Sequence, residues 1–277
     1  MREYKIGVCE FSFPCWGPLA IQMAAQAGYE GIQLADAGGA ANAYPLLNSY
    51  VRNAYLETAE KFGVRFQAIH FHSLFHSHLI DHSPESALGK EARELIAKDV
   101  EACRLMRVPT AMITITNILS PEQYDNVCDA LRYAGALCRD AGVELTIETD
   151  LRPNAFHRLL EDIGGGAKLC FDTMNPIVYD IGTPSELIHQ YGIELIDHFH
   201  VKDCARNSRG YFTKYTTPMR LIGEGESGFA ASADVIRKSD FRGWIVSESF
   251  YFDKGFGGAD FLASAKKDAA CLRRNFR

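Results

Sequence analysis

The chain has 277 residues, 47% of them hydrophobic and 11% aromatic, and a net charge of −6. That is apolar material for a substantial core, which argues against disorder, and it suits one large domain or two small ones. No basic arm is present, which argues against a duplex-binding protein, and no apolar run is long enough to span a bilayer.

The N-terminal "MREYKIGVCEF" has no apolar leader core, so a cytoplasmic protein without a membrane partner is expected. Eight cysteines are scattered without CxxC or zinc-knuckle spacing, and reduced, buried thiols are expected of them.

In chain order, short apolar runs alternate with helical patterns. Strands are expected at "YKIGVCEF" (4–11), "GIQLA" (31–35), "VRFQAIHFH" (64–72), "TAMITIT" (110–116), "VELTIET" (143–149), "KLCFDT" (168–173), "IDHFHVK" (196–202) and "GWIVSES" (243–249). The first helix, "GPLAIQMAAQAG", ends at Gly28 as its C-cap. "LNSYVRNAYLETAEKFG" and the long "ESALGKEARELIAKDVEACRLMR" follow. "SPEQYDNVCDALRYAGALCRDAG" opens with Ser120 as N-cap and Pro121 at the first helical position. "NAFHRLLEDIG", "PSELIHQYG", "ADVIRKSD" and "GADFLASAKKDAACLRRNF" complete the set.

Eight β/α units without a second compositional region predict a single (β/α)8 TIM barrel over residues 1–277. The competing reading is a doubly wound open sheet, but no GxGxxG follows the first strand. One irregular stretch, 203–228, follows the seventh strand on the side where barrel active sites are built.

The apolar alternation gives each strand's inward face. Leu145 and Ile147 suit the helix side, which leaves Thr146 and Glu148 inward. Leu169 and Phe171 go outward, so Cys170 and Asp172 face in. Phe199 and Val201 go outward, and His198, His200 and Lys202 face in. Val246 and Glu248 share a face on the eighth strand. Glu148, Asp172, His200 and Glu248 are therefore the inward residues nearest the strand ends. Three carboxylates buried together need a cation, and an oxygen-rich set with one nitrogen favours Mn²⁺, or Mg²⁺ or Co²⁺, over Zn²⁺. His198, two residues deeper, is expected to be structural.

At "TIET", "CFDT", "HFHVKD" and "VSES" the chain resembles the xylose-isomerase-like sugar isomerase/epimerase superfamily, nearest to the ketose 3-epimerases. A glycine-rich "IGEGESGF" after "HVKD" is also similar. The resemblance implies that Glu148, Asp172, His200 and Glu248 are metal ligands. It implies acid/base roles for Glu148 and Glu248 on opposite sides of the substrate, and substrate binding by Arg206, six residues after His200. Two positions depart from the epimerase pattern: Asn175 stands where a substrate-binding histidine is usual, and Asn154 where a second glutamate is.

A cation held there would polarise a hydroxyketone and stabilise an enediolate while a carboxylate moves the neighbouring proton, the basis of isomerisation or epimerisation. A lyase on the same barrel, acting as dehydratase or 3-oxo-C-glycoside deglycosidase, is the alternative. An AP-endonuclease-like enzyme and a non-catalytic sugar-binding barrel rank below it.

Lys202 is a candidate oxyanion contact, or a partner of Asp203 or Glu224. Arg209, Lys214 and Arg220 share the long loop with Arg206. In "AIHFHSLFHSHLIDH", His70 or His72 is a candidate substrate contact, while "HSHLIDH" reads as surface loop. Trp16 is a candidate wall of the sugar pocket. The expected partner is a small sugar, with no nucleic acid; a homo-oligomer is expected, and a small partner subunit stays open.

Overall fold

The computed structural model describes residues 4–213, 217–258 and 260–276. Its strands are β1 (Lys5–Cys9), β2 (Gly31–Ala35), β3 (Arg65–His70), β4 (Thr110–Ile115), β5 (Glu144–Thr149), β6 (Ala167–Asp172), β7 (Ile196–Val201), β8 (Asp203–Cys204), β9 (Met219–Arg220) and β10 (Trp244–Ser247). Eight of them form a closed barrel in the order β1-β10-β7-β6-β5-β4-β3-β2. Every pairing with a given register in that barrel is parallel. The eight strands coincide with the eight runs read from the sequence, with no end differing by more than two residues.

The helices are α1 (Pro18–Ala27), α2 (Ser49–Phe62), α3 (His72–His76), α4 (Ala87–Met106), α5 (Pro121–Ala141), α6 (Pro153–Asp162), α7 (Asn175–Val178), α8 (Pro184–Tyr191), α9 (Phe229–Lys238) and α10 (Phe261–Phe276). Their ends follow local chemistry. Gly28 closes α1 in the left-handed region at φ 95°, where a side chain would be strained. The Ser120 hydroxyl accepts the Gln123 N–H at the start of α5, with Pro121 next to it.

Two differences from the sequence reading stand out. α3 and α7 are single-turn helices, too short for a periodic pattern to announce. The stretch after β7 is no plain irregular loop: β8 and β9 pair antiparallel as a small hairpin, Asp203 opposite Arg220 and Cys204 opposite Met219. Lys214 lies outside the described residues.

Contacts divide the chain into two compact units. One holds the described residues up to Gln33, Thr58–Arg65 and those from Cys170 onward; the other holds Leu34–Glu57 and Phe66–Leu169. In the first, Ile6, Val8, Phe199 and Ile245 are fully buried. Phe171 meets Tyr191 of α8 edge to face at 5.8 Å, and Phe199 meets Phe241 at 4.8 Å. These rings fix the outward face of β6 and β7. In the second, Ile113 and Ile147 are fully buried, and Leu145 faces Gly135 of α5. Each such side chain contributes about 1.5–3 kcal/mol by leaving water.

All eight cysteines are unbridged, seven buried and Cys15 half-buried. Among the described residues, no helix is long and apolar enough to cross a membrane.

Candidate metal centre and its surroundings

The alternation of β7 sends Phe199 and Val201 outward, and His198, His200 and, just past the strand, Lys202 the other way. β10 pairs with β7 so that Val246 stands opposite His200. Glu248 lies two residues beyond Val246, and its N–H continues the ladder to the Val201 carbonyl. Asp172 ends β6. All four polar groups, Asp172, His200, Lys202 and Glu248, are buried.

Lys202 Nζ lies 2.8 Å from Asp172 Oδ2 and 2.6 Å from Glu248 Oε2. The ammonium is thus shared between two carboxylates, not paired with Asp203 or Glu224 as the sequence reading allowed. Burial alone would raise the Glu248 carboxyl, but the charges of Lys202 and His200 outweigh it and hold its pKa well below the ordinary value.

His200 Nε2 lies 2.9 Å from Gln33 Oε1, and its Nδ1 lies 3.1 Å from Glu248 Oε2. An amide oxygen accepts only, so Nε2 carries a proton and Nδ1 is the nitrogen turned to the carboxylates. Burial works against a charged His200; its anion-forming neighbours Cys170, Cys9 and Glu248 outweigh it, and its pKa lies well above the imidazole norm. Burial raises the Cys9 thiol to about 11, and its Sγ lies 3.7 Å from His200 Nε2.

These facts test the fit of a divalent cation. The donors are hard carboxylate oxygens and one imidazole nitrogen, a set suited to Mg²⁺ or Mn²⁺. Two positive groups, the Lys202 ammonium and the His200 proton, are already drawn in among the carboxylates as stand-ins. The residues fit such an ion, with protons competing for the same nitrogen.

Asp172 also caps a turn: its Oδ1 accepts the N–H groups of Met174 and Asn175 at 2.6 and 2.7 Å and so starts α7. That places half-buried Asn175 beside the group. His198 is fully buried, with Nδ1 2.8 Å from Asp197 Oδ2.

Asp203, the residue after Lys202, has a different task. Its carboxylate accepts the N–H groups of Cys204, Gly223, Gly225 and Ser227 at 2.9–3.0 Å. This is the physical link between "HVKD" and "IGEGESGF": one buried carboxylate organises the glycine-rich turn around itself.

Arg206 is about half exposed. Its Nε lies 3.5 Å from Glu226, its NH1 donates to the Gly210 carbonyl, and its guanidinium stacks on Phe212 at 4.5 Å. It lines a cleft of about 800 Å³ with Pro176, Thr183, Tyr211, Phe212 and Glu226. Trp16 is 49% exposed, so it is not a core anchor. Arg209 and Arg220 have local partners, Arg209 through its backbone to Asn207 and Arg220 to the carbonyls of Met219 and Gly255.

In the other unit Glu148, near the end of β5, is buried and stands opposite Thr114 of β4. The Thr114 hydroxyl donates to Glu148 Oε2 at 2.9 Å and lies 3.0 Å from His70 Nε2. His70 is buried at the end of β3. His72 is half-buried at the start of α3 and His76 exposed at its end, so "HSHLIDH" begins inside a helix and passes through a 3-10 turn at Leu79–Asp81.

Two polar residues with evident roles escaped the sequence reading. Gln33 is the only polar side chain within the apolar "GIQLA" and is fully buried; Thr114 alternates with Thr110 and Met112 in "TAMIT". A polar residue in a five-residue apolar strand is the signal that marks Gln33.

A family model described as xylose isomerase-like TIM barrel matches residues 21–275. The chain is 26% identical over 243 residues to 2-epi-5-epi-valiolone 7-phosphate 2-epimerase of an Actinoplanes species, covering 85% of this chain and 83% of that protein. Among solved structures, a xylose isomerase domain protein from Planctomyces limnophilus aligns with TM-score 0.75 at 15% identity, over 99% of this chain and 96% of that one. D-allulose 3-epimerase from Methylomonas sp. aligns with TM-score 0.74 at 16% identity, over 99% of both chains. A xylose isomerase-like TIM barrel protein from Mycobacterium smegmatis in complex with magnesium gives 0.72 at 13%, over 99% of this chain and 96% of that one. At such identities these likenesses bear on the fold alone. The matched family model spans nearly the whole chain, and the chain belongs to the xylose isomerase-like TIM barrel family.

Proposed function

We propose that the protein is a divalent-metal-dependent isomerase or epimerase of a small ketose or related cyclic polyol ketone. The observation that carries this reading is the donor set. Asp172, His200 and Glu248 are all buried, and each offers a ligand atom within 4.8 Å of the others; Glu148, the fourth ligand expected from the sequence, is buried near the end of β5. The names of the relatives, an epimerase of a phosphorylated cyclitol ketone and an epimerase of a ketohexose, support the same class. Mn²⁺ is the ion of first choice; the magnesium-bound neighbour makes Mg²⁺ the next to try.

When bound, the cation would polarise the substrate carbonyl and offset negative charge that develops on its oxygen. The rest belongs to the chain's own groups. Lys202 and His200 hold Glu248 in its ionised form, so it takes up a proton from solvent before it delivers one to the reacting carbon. Glu148 accepts the Thr114 hydroxyl and is assigned as the base that takes the proton next to the carbonyl. Removal by one carboxylate and return by the other gives epimerisation. Arg206, Asn175, His70, His72 and Trp16 are the side chains proposed to border the substrate. With Lys202 engaged by two carboxylates, its part is to set the charge of the site.

The test is an incubation of Mn²⁺-loaded protein in D₂O with ketoses, aldoses, their phosphates and cyclitol ketones, read by mass spectrometry and NMR. An isomeric product carrying one carbon-bound deuterium is expected, with Glu148→Gln and Glu248→Gln inactive. Full activity in both variants would falsify the assignment of the site. A lighter product would replace isomerisation by elimination.

A further inference from the structure

The histidines after β3 do more than border a pocket. The Thr114 hydroxyl has one proton, and it is donated to Glu148. Its oxygen can then only accept from His70, 3.0 Å away, so His70 carries its proton on Nε2. His70 Nδ1 is left as an acceptor and lies 3.4 Å from His72 Nδ1, which must be the donor. His72 Nε2 is in turn an acceptor, 2.6 Å from His76 Nε2, which donates. With the three rings neutral, each assignment forces the next, and every donor points toward Glu148.

The placement is built. Asp36 accepts the Ser73 N–H at 2.7 Å and the Gly38 N–H at 3.1 Å, which pins the first turn of α3. The i, i+4 spacing then sets His72 and His76 on one face, with ring centroids 4.0 Å apart. His70 meets His72 edge to face at 5.2 Å. The line runs from buried Glu148 and His70, through half-buried His72, to exposed His76.

We propose that His70, locked in its Nε2–H tautomer by His72 and His76, is a positioning residue for Glu148 and acts through the Thr114 hydroxyl. This rests on the assignment of Glu148 as the base. The line fixes which carboxylate oxygen is occupied by a donor, and so which one is presented to the reacting carbon.

Nitrogen-15 NMR of the full-length, histidine-labelled protein at mildly alkaline pH reads the tautomers directly, with single histidine variants giving the assignments. His70 is expected with its proton on Nε2, His72 on Nδ1 and His76 on Nε2. In turnover, Thr114→Val should lower kcat about tenfold with little change in KM, the cost of one hydrogen bond to a charged group. Thr114→Ser should recover most of it. His70→Gln, whose amide N–H can replace Nε2–H, should outperform His70→Leu.

A His70 proton found on Nδ1, or a Thr114→Val variant with wild-type kcat, overturns the proposal while the functional reading stands. Absence of turnover by the wild-type protein on every sugar sinks the functional reading and with it the positioning role, whatever the tautomers show.

Discussion

His200 has two ring nitrogens, and Gln33 determines which of them faces the carboxylates. The inward placing of His200 is legible in the alternation of "IDHFHVK", because β-strand parity is a local property. The tautomer is not, because it depends on a partner in β2, far away in sequence, that only the closed strand order brings near. The same holds for Lys202: its inward direction follows from parity, its partners do not. Second partners of metal-binding histidines usually contribute 10–100-fold in affinity. Gln33→Leu removes the Nε2 acceptor and lets the ring turn. The expected outcome is a loss of Mn²⁺ affinity of about 10–100-fold, measured by titration calorimetry at constant pH. An unchanged affinity would mean that Gln33 does not orient His200.

Among elements, the long helices and the barrel strands announce themselves through caps and alternation, whereas α3, α7 and the β8/β9 hairpin do not. Those three are set by carboxylates rather than by periodicity: Asp36 starts α3, Asp172 starts α7, and Asp203 gathers the turn after β9. The glycine-rich "IGEGESGF" is visible in the sequence, but its reason appears only with Asp203 in place. A Cβ on Gly225 would run into the Asp203 carboxylate and the Cys204 carbonyl oxygen, and the latter is backbone that cannot swing aside. Gly225→Ala is therefore expected to cost about 1–3 kcal/mol, as overpacking does, seen as a lower urea midpoint. Gly210→Ala is the control for position on the same loop, since nothing lies within 4 Å of its Cβ, although its positive φ carries a strain of its own. Equal stability of Gly225→Ala and wild type would show that the turn can open at no cost.

At the scale of the molecule, eight β/α units and a parallel closed strand order follow from repetition, which is why the architecture was readable from one chain. Stability as a function of pH was not, because it depends on which charges are trapped. Asp268 of α10 is fully buried, with Oδ1 accepting the Ile222 N–H and Oδ2 accepting the Ser249 hydroxyl. Burial raises its pKa from 3.8 to about 6, against the pull of those hydrogen bonds. Between these two values the folded chain holds a proton that the unfolded chain has lost. The slope of unfolding free energy with pH is negative wherever that is so. The stabilisation is thus fully present below pH 3.8 and is lost as pH rises through about 6. Over the whole window the loss is on the order of 3 kcal/mol. Asp268→Asn keeps an acceptor for Ile222 and cannot ionise, so its advantage over wild type should grow from pH 4 to pH 7 by that amount. Urea unfolding of both proteins at half-unit pH steps reads the difference directly. Two curves that stay parallel would mean that Asp268 ionises in the folded chain as easily as in water, and that α10 is not held by a reluctant carboxylate.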